Sequence, residues 1–429
     1  IRAPCDPKSV GARARSGASD RPEIRDRKPF NGERRVMLEA AMFLLQVGLM
    51  ALLVAVSSKG ARNEMERALN PAMLLVFFYT VWMLIPQIFA LLPEHSVVGM
   101  ESVPPTERAA ATLPTQAYLS LFLAAVLIGY SMALGLKRAT ALVSQPPPLQ
   151  PLRWHYGLAA YAVGVGAFFI LGRTFHELPD GTMRSALVKT TTGQLLTAIS
   201  FFGSFGVAYL CAHLWLQGRR LQPLILFVVY AYLVLQLGAR GRILWPLVTA
   251  ILFVWGRGAH IRLMPVILMA VIALTALSLL DPLVYGLRYD DFTRFEAALS
   301  PTVMFETLFY GRNFDGFANL MFITHNDLIQ EQPGFLLGGA RDAYMLTYYP
   351  GIYAMGVAFP TTIPGEFWLA GKTPLLAAMS CLYGFGLGLL HQYLRSARRE
   401  SQVWLYLLLL PWVTAVGGEL MESMQKIIA

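Results

Sequence analysis

Long apolar runs recur along most of this 429-residue chain, and they constrain the fold more than any other feature. A helix needs about 20 mostly apolar residues to cross the hydrocarbon core of a bilayer. Only 14% of the residues are charged, against about a quarter in soluble proteins, so the chain has too little charge to coat a water-facing surface. The pattern predicts a membrane protein and excludes disordered, fibrous and disulfide-rich secreted classes.

We predict an all-α, polytopic transmembrane helical bundle of about ten crossings, with one or two more as the alternative count. Most of the tryptophans stand near the end of a run, where amphipathic rings anchor helices at the membrane surface. The runs interpreted as crossings are residues 38–56, 71–92, 113–136, 156–171, 193–216, 221–238, 243–255, 263–280, 374–394 and 403–416.

The chain divides into four parts along its length. Residues 1–36 form a basic tail that we expect to be disordered, either native or added ahead of Met37. Residues 37–280 form the main transmembrane bundle, with about eight crossings. Residues 281–373 are predicted to form one large, partly helical periplasmic loop, and residues 374–429 hold the last crossings and the C-terminus.

The formal net charge of +9 is distributed in a way that predicts topology. Residues 1–36 contribute +5, whereas residues 281–373 contribute −5. A set of alternate short connections is rich in lysine and arginine, which predicts that these connections face the cytoplasm and that residues 281–373 face outward. The basic residues of this set are Lys59, Arg62, Arg67, Lys137, Arg138, Arg153, Arg219, Arg220, Arg257, Arg262, Arg395, Arg398 and Arg399. The positive charge therefore reports topology, and we expect no nucleic-acid partner.

The predicted outer loop of residues 281–373 is rich in aromatic residues, which is typical of an ordered segment rather than a linker. Long ordered loops are usually functional. We expect short amphipathic helices that lie over the outer face of the bundle. Within the loop, the apolar run 352–368 is interrupted by Pro360 and Pro364, and we interpret it as re-entrant or interfacial rather than spanning.

The first candidate for chemistry is the sequence GARGR at residues 238–242, between two apolar runs at the predicted outer face. The guanidinium groups of Arg240 and Arg242 can each bind phosphate oxygens with a fork of N–H donors, and the glycines let the backbone come close. The alternative is a tight turn whose arginines reach the membrane interface. Positive residues are disfavoured on this side of the membrane, which favours phosphate binding.

The second candidate is the outer-loop pair His325 and Asp327. An imidazole among polar residues outside the membrane can accept a proton from a sugar hydroxyl, and a carboxylate can orient or replace it. The alternative is that Asp327 caps a helix and His325 is a surface residue. Arg312 and Arg341 either add positive charge for a departing diphosphate or pair with neighbouring aspartates.

The third candidate is Glu366, within the sequence TTIPGEFW at residues 361–368. A carboxylate in an apolar, proline-kinked segment near the membrane is costly unless it has a partner or a function. The glycines that follow, Gly384, Gly386 and Gly388, favour close helix packing. No metal-ligand motif or nucleophile motif occurs in a convincing context, so we predict neither a metal nor a cofactor.

The order of these features resembles that of the Wzy-type O-antigen and exopolysaccharide repeat-unit polymerases, which are bacterial inner-membrane glycosyltransferases. The resemblance spans residues 221–394 and rests on GARGR, the long late outer loop, and PGEFW at residues 364–368 running into a glycine-rich helix. It implies a GT-C-like all-α bundle in the bacterial inner membrane, with the active site facing the periplasm. The partners it implies are undecaprenyl-diphosphate-linked oligosaccharides, the bilayer and a chain-length regulator.

By this resemblance, the enzyme transfers a glycan chain from undecaprenyl diphosphate onto a lipid-linked repeat unit. Arg240 and Arg242 would hold diphosphate, Glu366 matches the family's glutamate before an aromatic residue, and His325 resembles an outer-loop base of the related ligases. The alternatives are an O-antigen ligase-like transferase, which moves finished polymer onto lipid A core, and a polytopic transporter or lipid flippase. Charge is scarce in the apolar runs and concentrated in one outer loop, which favours an enzyme over a transporter.

Overall fold

A computed structural model of the chain describes residues 32–59, 66, 69–90, 105–136, 153–177, 190–236, 241–257, 279, 292–300, 316–325, 328–351, 361–397 and 399–414. Within these residues the regular structure is helical, as the apolar runs predict. The helices are α1 (Gly32–Ser58), α2 (Pro71–Tyr79), α3 (Ile85–Ala90), α4 (Pro105–Leu136), α5 (Trp154–Glu177), α6 (Thr191–Leu216), α7 (Leu221–Gln236), α8 (Gly241–Gly256), α9 (Thr293–Ala298), α10 (Gly316–His325), α11 (Ala340–Tyr348), α12 (Ile363–Arg395) and α13 (Glu400–Thr414). The described residues of the predicted crossings are helical, and the crossing 263–280 lies outside the described residues apart from Leu279.

Five helical stretches in the described ranges are long and apolar enough to cross a membrane. They are Arg34–Ser58, Pro71–Ile88, Ala110–Leu136, Trp154–Thr174 and Ile363–Arg395. Shorter apolar helices accompany them in α6, α7, α8 and α13. Large apolar side chains such as Leu44, Ile128 and Phe169 are exposed on the helix surfaces, as side chains that face lipid are. The chain therefore has the make-up of a multi-pass membrane protein.

Local chemistry decides where α2 begins and how it continues. Pro71 occupies the first turn, and Asn70 Oδ1 accepts a hydrogen bond from the Ala72 N–H at 3.0 Å. Further along, Pro86 has no N–H to donate to the carbonyl of Trp82, four residues earlier. The helix widens into a π turn at Thr80–Leu84 immediately before this proline and then continues as α3.

Helices α4 and α12 form the closest helix pair at the centre of the bundle, and they run parallel. A Cβ atom added to Gly384 would lie 2.1 Å from the carbonyl oxygen of Val126, so the two backbones touch at this glycine. Gly388 likewise meets Ala133, whereas a Cβ atom on Gly386 would have no atom of the described residues within 4 Å. The interpretation of these glycines as packing residues is therefore confirmed for Gly384 and Gly388 and wrong for Gly386.

Two buried polar clusters cross-link the helices at different depths. In the first, the glutamine cluster, Gln46 Oε1 accepts from Tyr79 Oη at 2.6 Å and from Gln87 Nε2 at 2.8 Å, and Gln116 Nε2 donates to Gln87 Oε1 at 3.3 Å. It joins α1, α2, α3 and α4. Lipid tails offer no hydrogen-bond partners, so polar side chains within the membrane bond to one another across helices. Such a cluster therefore holds the helices in one arrangement.

The second group, the terminal cluster, lies near the C-terminal end of α4, 14 residues beyond Gln116. Tyr130 Oη is 2.5 Å from His391 Nδ1 and 3.4 Å from Asn70 Oδ1. Close by in sequence, Arg395 Nε is 3.5 Å from Glu66 Oε2. The cluster ties the start of α2 to the ends of α4 and α12.

Candidate functional site

An interruption divides α12 into two helices. Gly371 and Lys372 have non-helical backbone angles, so residues 363–370 form a short helix, α12a, and residues 373–395 form a long one, α12b. Thr362 caps α12a by accepting a hydrogen bond from the Gly365 N–H at 3.2 Å, and Pro374 stands in the first turn of α12b. Every residue from 361 to 370 is buried, so α12a is enclosed by protein along its whole length.

Both ends of α12a hold a residue in a backbone conformation that normally requires glycine. Thr362 has φ 70° and ψ 154°, and Lys372 has φ 54° and ψ −148°. They are the two non-glycine residues with positive φ among the residues that the structure describes. Such conformations persist only where the surroundings enforce them, and they cluster at functional sites.

Glu366 lies in the first turn of α12a and is only 3% exposed. Its backbone N–H donates to the Thr362 carbonyl at 2.9 Å, which closes the first turn. The partial positive charge at a helix N-terminus favours a carboxylate there, although burial of the carboxylate carries a desolvation cost.

Helix α10 packs directly against the start of α12a. A Cβ atom on Gly365 would lie 3.4 Å from Ile323 Cδ1, which is ordinary van der Waals contact. On its other side α10 is joined to α4, because Thr324 Oγ1 and Thr115 Oγ1 are 2.9 Å apart. His325 is the half-buried last residue of α10. Predicted site residues Glu366 and His325 therefore lie on adjoining helices.

An aromatic cluster extends this region toward α11. Phe322 of α10 lies 4.8 Å from Tyr348 and 5.7 Å from Tyr349, measured between ring centroids. The buried Tyr344 completes the group at 5.5 Å from Tyr348. Aromatic faces of this kind suit stacking on sugar rings as well as packing among themselves.

Arg341 stands in the first turn of α11 and is half-buried. Its Nε lies 4.0 Å from Asp342 Oδ1, which is within ion-pair range but beyond a hydrogen bond. The structure thus gives Arg341 the neighbouring aspartate that the sequence analysis names as the alternative to diphosphate binding.

Other predicted site residues lie wholly or partly outside the described part of the chain. Asp327, Arg240 and Arg312 are outside it, and Arg242 is described only as backbone in the first turn of α8. Their predicted roles stay predictions.

Contacts nevertheless connect the start of α8 with the start of α10. Trp245 of α8 lies 5.0 Å from Phe78, whose ring stacks on Trp82 at 4.8 Å. A Cβ atom on Gly316, the first residue of α10, would lie 3.0 Å from the Trp82 carbonyl oxygen. Helix α8, which begins within GARGR, is therefore connected to the helix that carries His325 through two aromatic residues of the second crossing.

Sequence reasoning missed a second group of residues beside Glu366. The Lys372 ammonium lies 3.5 Å from the centroid of the Trp368 ring, and Tyr118 of α4 lies 6.2 Å from the same ring. The signal was present as two helix-start patterns, Thr362 with Pro364 and then Pro374, which together predict two helices rather than one. A break between them places Lys372 at the end of the first helix.

The described residues contain no group of three or more histidine, cysteine, aspartate or glutamate side chains that could hold a metal ion. The groups that this region offers for chemistry are a buried carboxylate, a histidine on the adjoining helix, a lysine at a helix break and aromatic surfaces. Comparison with protein-family models, with curated proteins and with solved structures finds no match for this chain.

Proposed function

We propose that this chain is a polysaccharide polymerase of the bacterial inner membrane. It acts as a metal-independent glycosyltransferase that moves a glycan chain from undecaprenyl diphosphate onto a lipid-linked repeat unit at the periplasmic face. The observation that carries the proposal is the burial of Glu366 in α12a, a short helix with strained backbone at both ends. Buried carboxylates and strained backbone are both costly, and they coincide where a fold positions a reactive group.

The reaction needs a base and a means of stabilising a departing anion. The acceptor hydroxyl oxygen forms a bond to the anomeric carbon of the donor sugar, and the bond from that carbon to the diphosphate oxygen breaks. The hydroxyl proton passes to the base, and undecaprenyl diphosphate leaves with the bonding electron pair. Glu366 is our candidate for the base, with His325 and Asp327 as the residues that assist or replace it.

Cationic side chains stabilise the diphosphate as it leaves, so neither a metal ion nor a cofactor is required. We assign this role to Arg240 and Arg242 at the GARGR turn, with Arg312 and Arg341 as further candidates. The donor already carries a good leaving group, which agrees with the absence of a nucleotide-binding motif from the sequence. A chain-length regulator is a partner that the proposal accommodates.

The arrangement of the helix ends supports the proposed topology of about ten crossings with residues 281–373 as a periplasmic loop. Asn70, Tyr130 and His391 belong to ends that the basic connections assign to the cytoplasm, and Tyr130 contacts both of the others in the terminal cluster. At the other end, Thr115 contacts Thr324 of the predicted outer loop. Ends assigned to the same side thus lie together.

The test is polymer synthesis in a strain that lacks the chromosomal gene and carries a plasmid copy. We expect Glu366→Gln, which keeps the shape and removes the base, to reduce polymer by about 100-fold or more at equal protein level. Glu331→Gln is the matched control, because Glu331 is an exposed glutamate of the same segment. Full-length polymer from Glu366→Gln would contradict the role of Glu366.

The same strain separates the polymerase from the ligase-like alternative. Loss of a polymerase leaves a single repeat unit on the acceptor, and complementation restores a ladder of lengths. Loss of a ligase leaves no glycan on the acceptor at all, and this result would refute the proposal.

A further inference from the structure

Lys372 and Trp368 form a contact at the break between α12a and α12b. The ammonium lies 3.5 Å from the centroid of the indole ring, a close cation–π distance. The aromatic face holds the positive charge at the C-terminal end of α12a, where the helix dipole also favours a cation. Both interactions therefore favour this position of the ammonium.

The indole N–H of Trp368 points to a ligand that accepts hydrogen bonds. Trp368 is only 5% exposed, and its Nε1 has no hydrogen-bond partner among the residues that the structure describes. A buried N–H without a partner is costly, and in native proteins it often marks a place where water, an ion or a ligand binds. Two donors, one of them charged, thus stand side by side.

The backbone at Lys372 gives a second indication that the side chain has a function. Its φ of 54° and ψ of −148° lie in a region that glycine adopts without strain. The position before it is already glycine, Gly371, so a break in the helix does not need a lysine here. A lysine in this strained conformation is explained if its ammonium binds a ligand, which glycine cannot do.

We propose that Lys372 and the indole N–H of Trp368 form a phosphate-binding site at the helix break. The inference rests on the proposed function, which supplies a lipid-linked diphosphate at this end of the bundle. A phosphate group offers oxygens in several directions, so it can accept from the ammonium and from the N–H together. The short α12a then separates two roles, with Glu366 near its N-terminus and the anion site at its C-terminus.

The experiment measures binding without sugar transfer. The full-length chain is purified into nanodiscs of neutral phosphatidylcholine and titrated with farnesyl diphosphate, farnesol and inorganic diphosphate, with empty nanodiscs as the baseline. We expect Lys372→Ala to weaken farnesyl diphosphate binding roughly 10- to 100-fold and to leave farnesol binding unchanged. Lys372→Arg should restore most of the affinity, because it keeps the charge.

Two further variants make the result specific. Trp368→Phe keeps an aromatic face for the ammonium and removes the N–H, so we expect an intermediate loss of roughly three- to tenfold. Lys59→Ala is the matched control, an exposed lysine at the end of α1, and it should bind as the unaltered chain does. Tighter binding of farnesyl diphosphate than of inorganic diphosphate would assign the anion to a lipid, and equal binding would assign it to a free anion.

The inference is overturned if the unaltered chain binds no diphosphate, if Lys372→Ala binds it normally, or if farnesol binding falls in parallel. Its failure is distinguishable from failure of the proposed function. Diphosphate binding through Lys372 in a protein that makes no polymer would keep the anion site and refute the polymerase. If the unaltered chain makes polymer and Lys372→Ala binds diphosphate normally, the polymerase is kept and the anion site is refuted.

Discussion

Lys372 combines a backbone conformation suited to glycine with a side chain that rests on Trp368. The backbone conformation costs of the order of 1–3 kcal/mol, and the cation–π contact returns about 0.5–2 kcal/mol. The two terms oppose each other at a single residue. Substitutions that remove the side chain but differ in backbone freedom can therefore separate them.

We predict that Lys372→Gly unfolds at a higher temperature than Lys372→Ala. Both variants lose the contact with Trp368, but alanine keeps the strain and glycine relieves it. Allowing for the greater chain entropy of unfolded glycine, the difference in unfolding free energy should be about 1–2 kcal/mol. Thermal unfolding of the two purified variants in one detergent measures it. An equal or lower midpoint for Lys372→Gly would mean that Lys372 is not strained.

Tyr130 is the hub of the terminal cluster, and its hydroxyl group contacts His391 and Asn70. Tyr130→Phe keeps the ring and removes both hydrogen bonds, so we expect a loss of about 1–2 kcal/mol in unfolding free energy. Tyr232 provides the control, because this tyrosine of α7 is 63% exposed and Tyr232→Phe should change stability by less than about 0.5 kcal/mol. Equal thermal unfolding midpoints for the two variants would mean that the hydrogen bonds of Tyr130 do not stabilise the fold.

At the scale of elements, the pair α4 and α12b is built on glycine contacts. Gly384 and Gly386 lie two residues apart on α12b, yet only Gly384 meets a neighbouring backbone. Because side chains on a helix rotate by about 100° per residue, the two glycines face different surroundings. Their substitutions by alanine should therefore differ in their effect on stability.

We predict that Gly384→Ala lowers the unfolding free energy by about 2 kcal/mol or more, because its Cβ would lie 2.1 Å from the carbonyl oxygen of Val126. Gly386→Ala should be neutral or stabilising by up to about 1 kcal/mol, since alanine is the better helix former and no atom in the described part of the chain lies within 4 Å of the added Cβ. Thermal unfolding midpoints, compared with polymer yield in cells, distinguish the two variants. Similar losses for both would contradict the contact at Gly384.

Whether the sequence predicts a feature depends on how far apart along the chain the residues that form it are. Hydropathy over about 20 residues is a local property, so the runs from α1 to α8 were predictable. The costly position of Glu366 was predictable as well, because an acidic residue between prolines in an apolar run is visible in one short segment. The glutamine cluster was not, since Gln46, Gln87 and Gln116 come together only when three crossings pack.

The same distinction explains what was missed at the candidate site. Lys372 lies within residues 281–373, the predicted outer loop, and its contact with Trp368 depends on the break at residues 371–372. The break itself agrees with Pro374, where the predicted crossing 374–394 begins, but no local pattern shows that the Lys372 side chain lies on Trp368. The contact of Thr115 with Thr324 joins residues 209 positions apart, which no local pattern encodes.

For the whole molecule, the two polar clusters mark opposite ends of a common axis. Along α4, Gln116 belongs to the glutamine cluster and Tyr130 to the terminal cluster, 14 residues further on. At about 1.5 Å per residue, this separation is roughly 20 Å, most of the thickness of a hydrocarbon core. Basic residues such as Arg395 accompany the terminal cluster, and near the other end Thr115 contacts Thr324 of the predicted outer loop.

This axis predicts which residues a membrane-impermeant thiol reagent reaches in intact spheroplasts. In a background without the chain's own cysteines, we expect labelling of Glu331→Cys and Thr347→Cys, which replace exposed residues of the proposed periplasmic segment. Lys59→Cys and Arg219→Cys also replace exposed residues, but they should react only after the membrane is opened, because basic connections are retained in the cytoplasm. The reverse pattern would invert the proposed orientation and move Glu366 and Lys372 to the cytoplasmic side, where a periplasmic polymerase could not use them. Reaction of all four positions in intact spheroplasts would contradict the prediction that the two pairs of positions lie on opposite sides of the membrane.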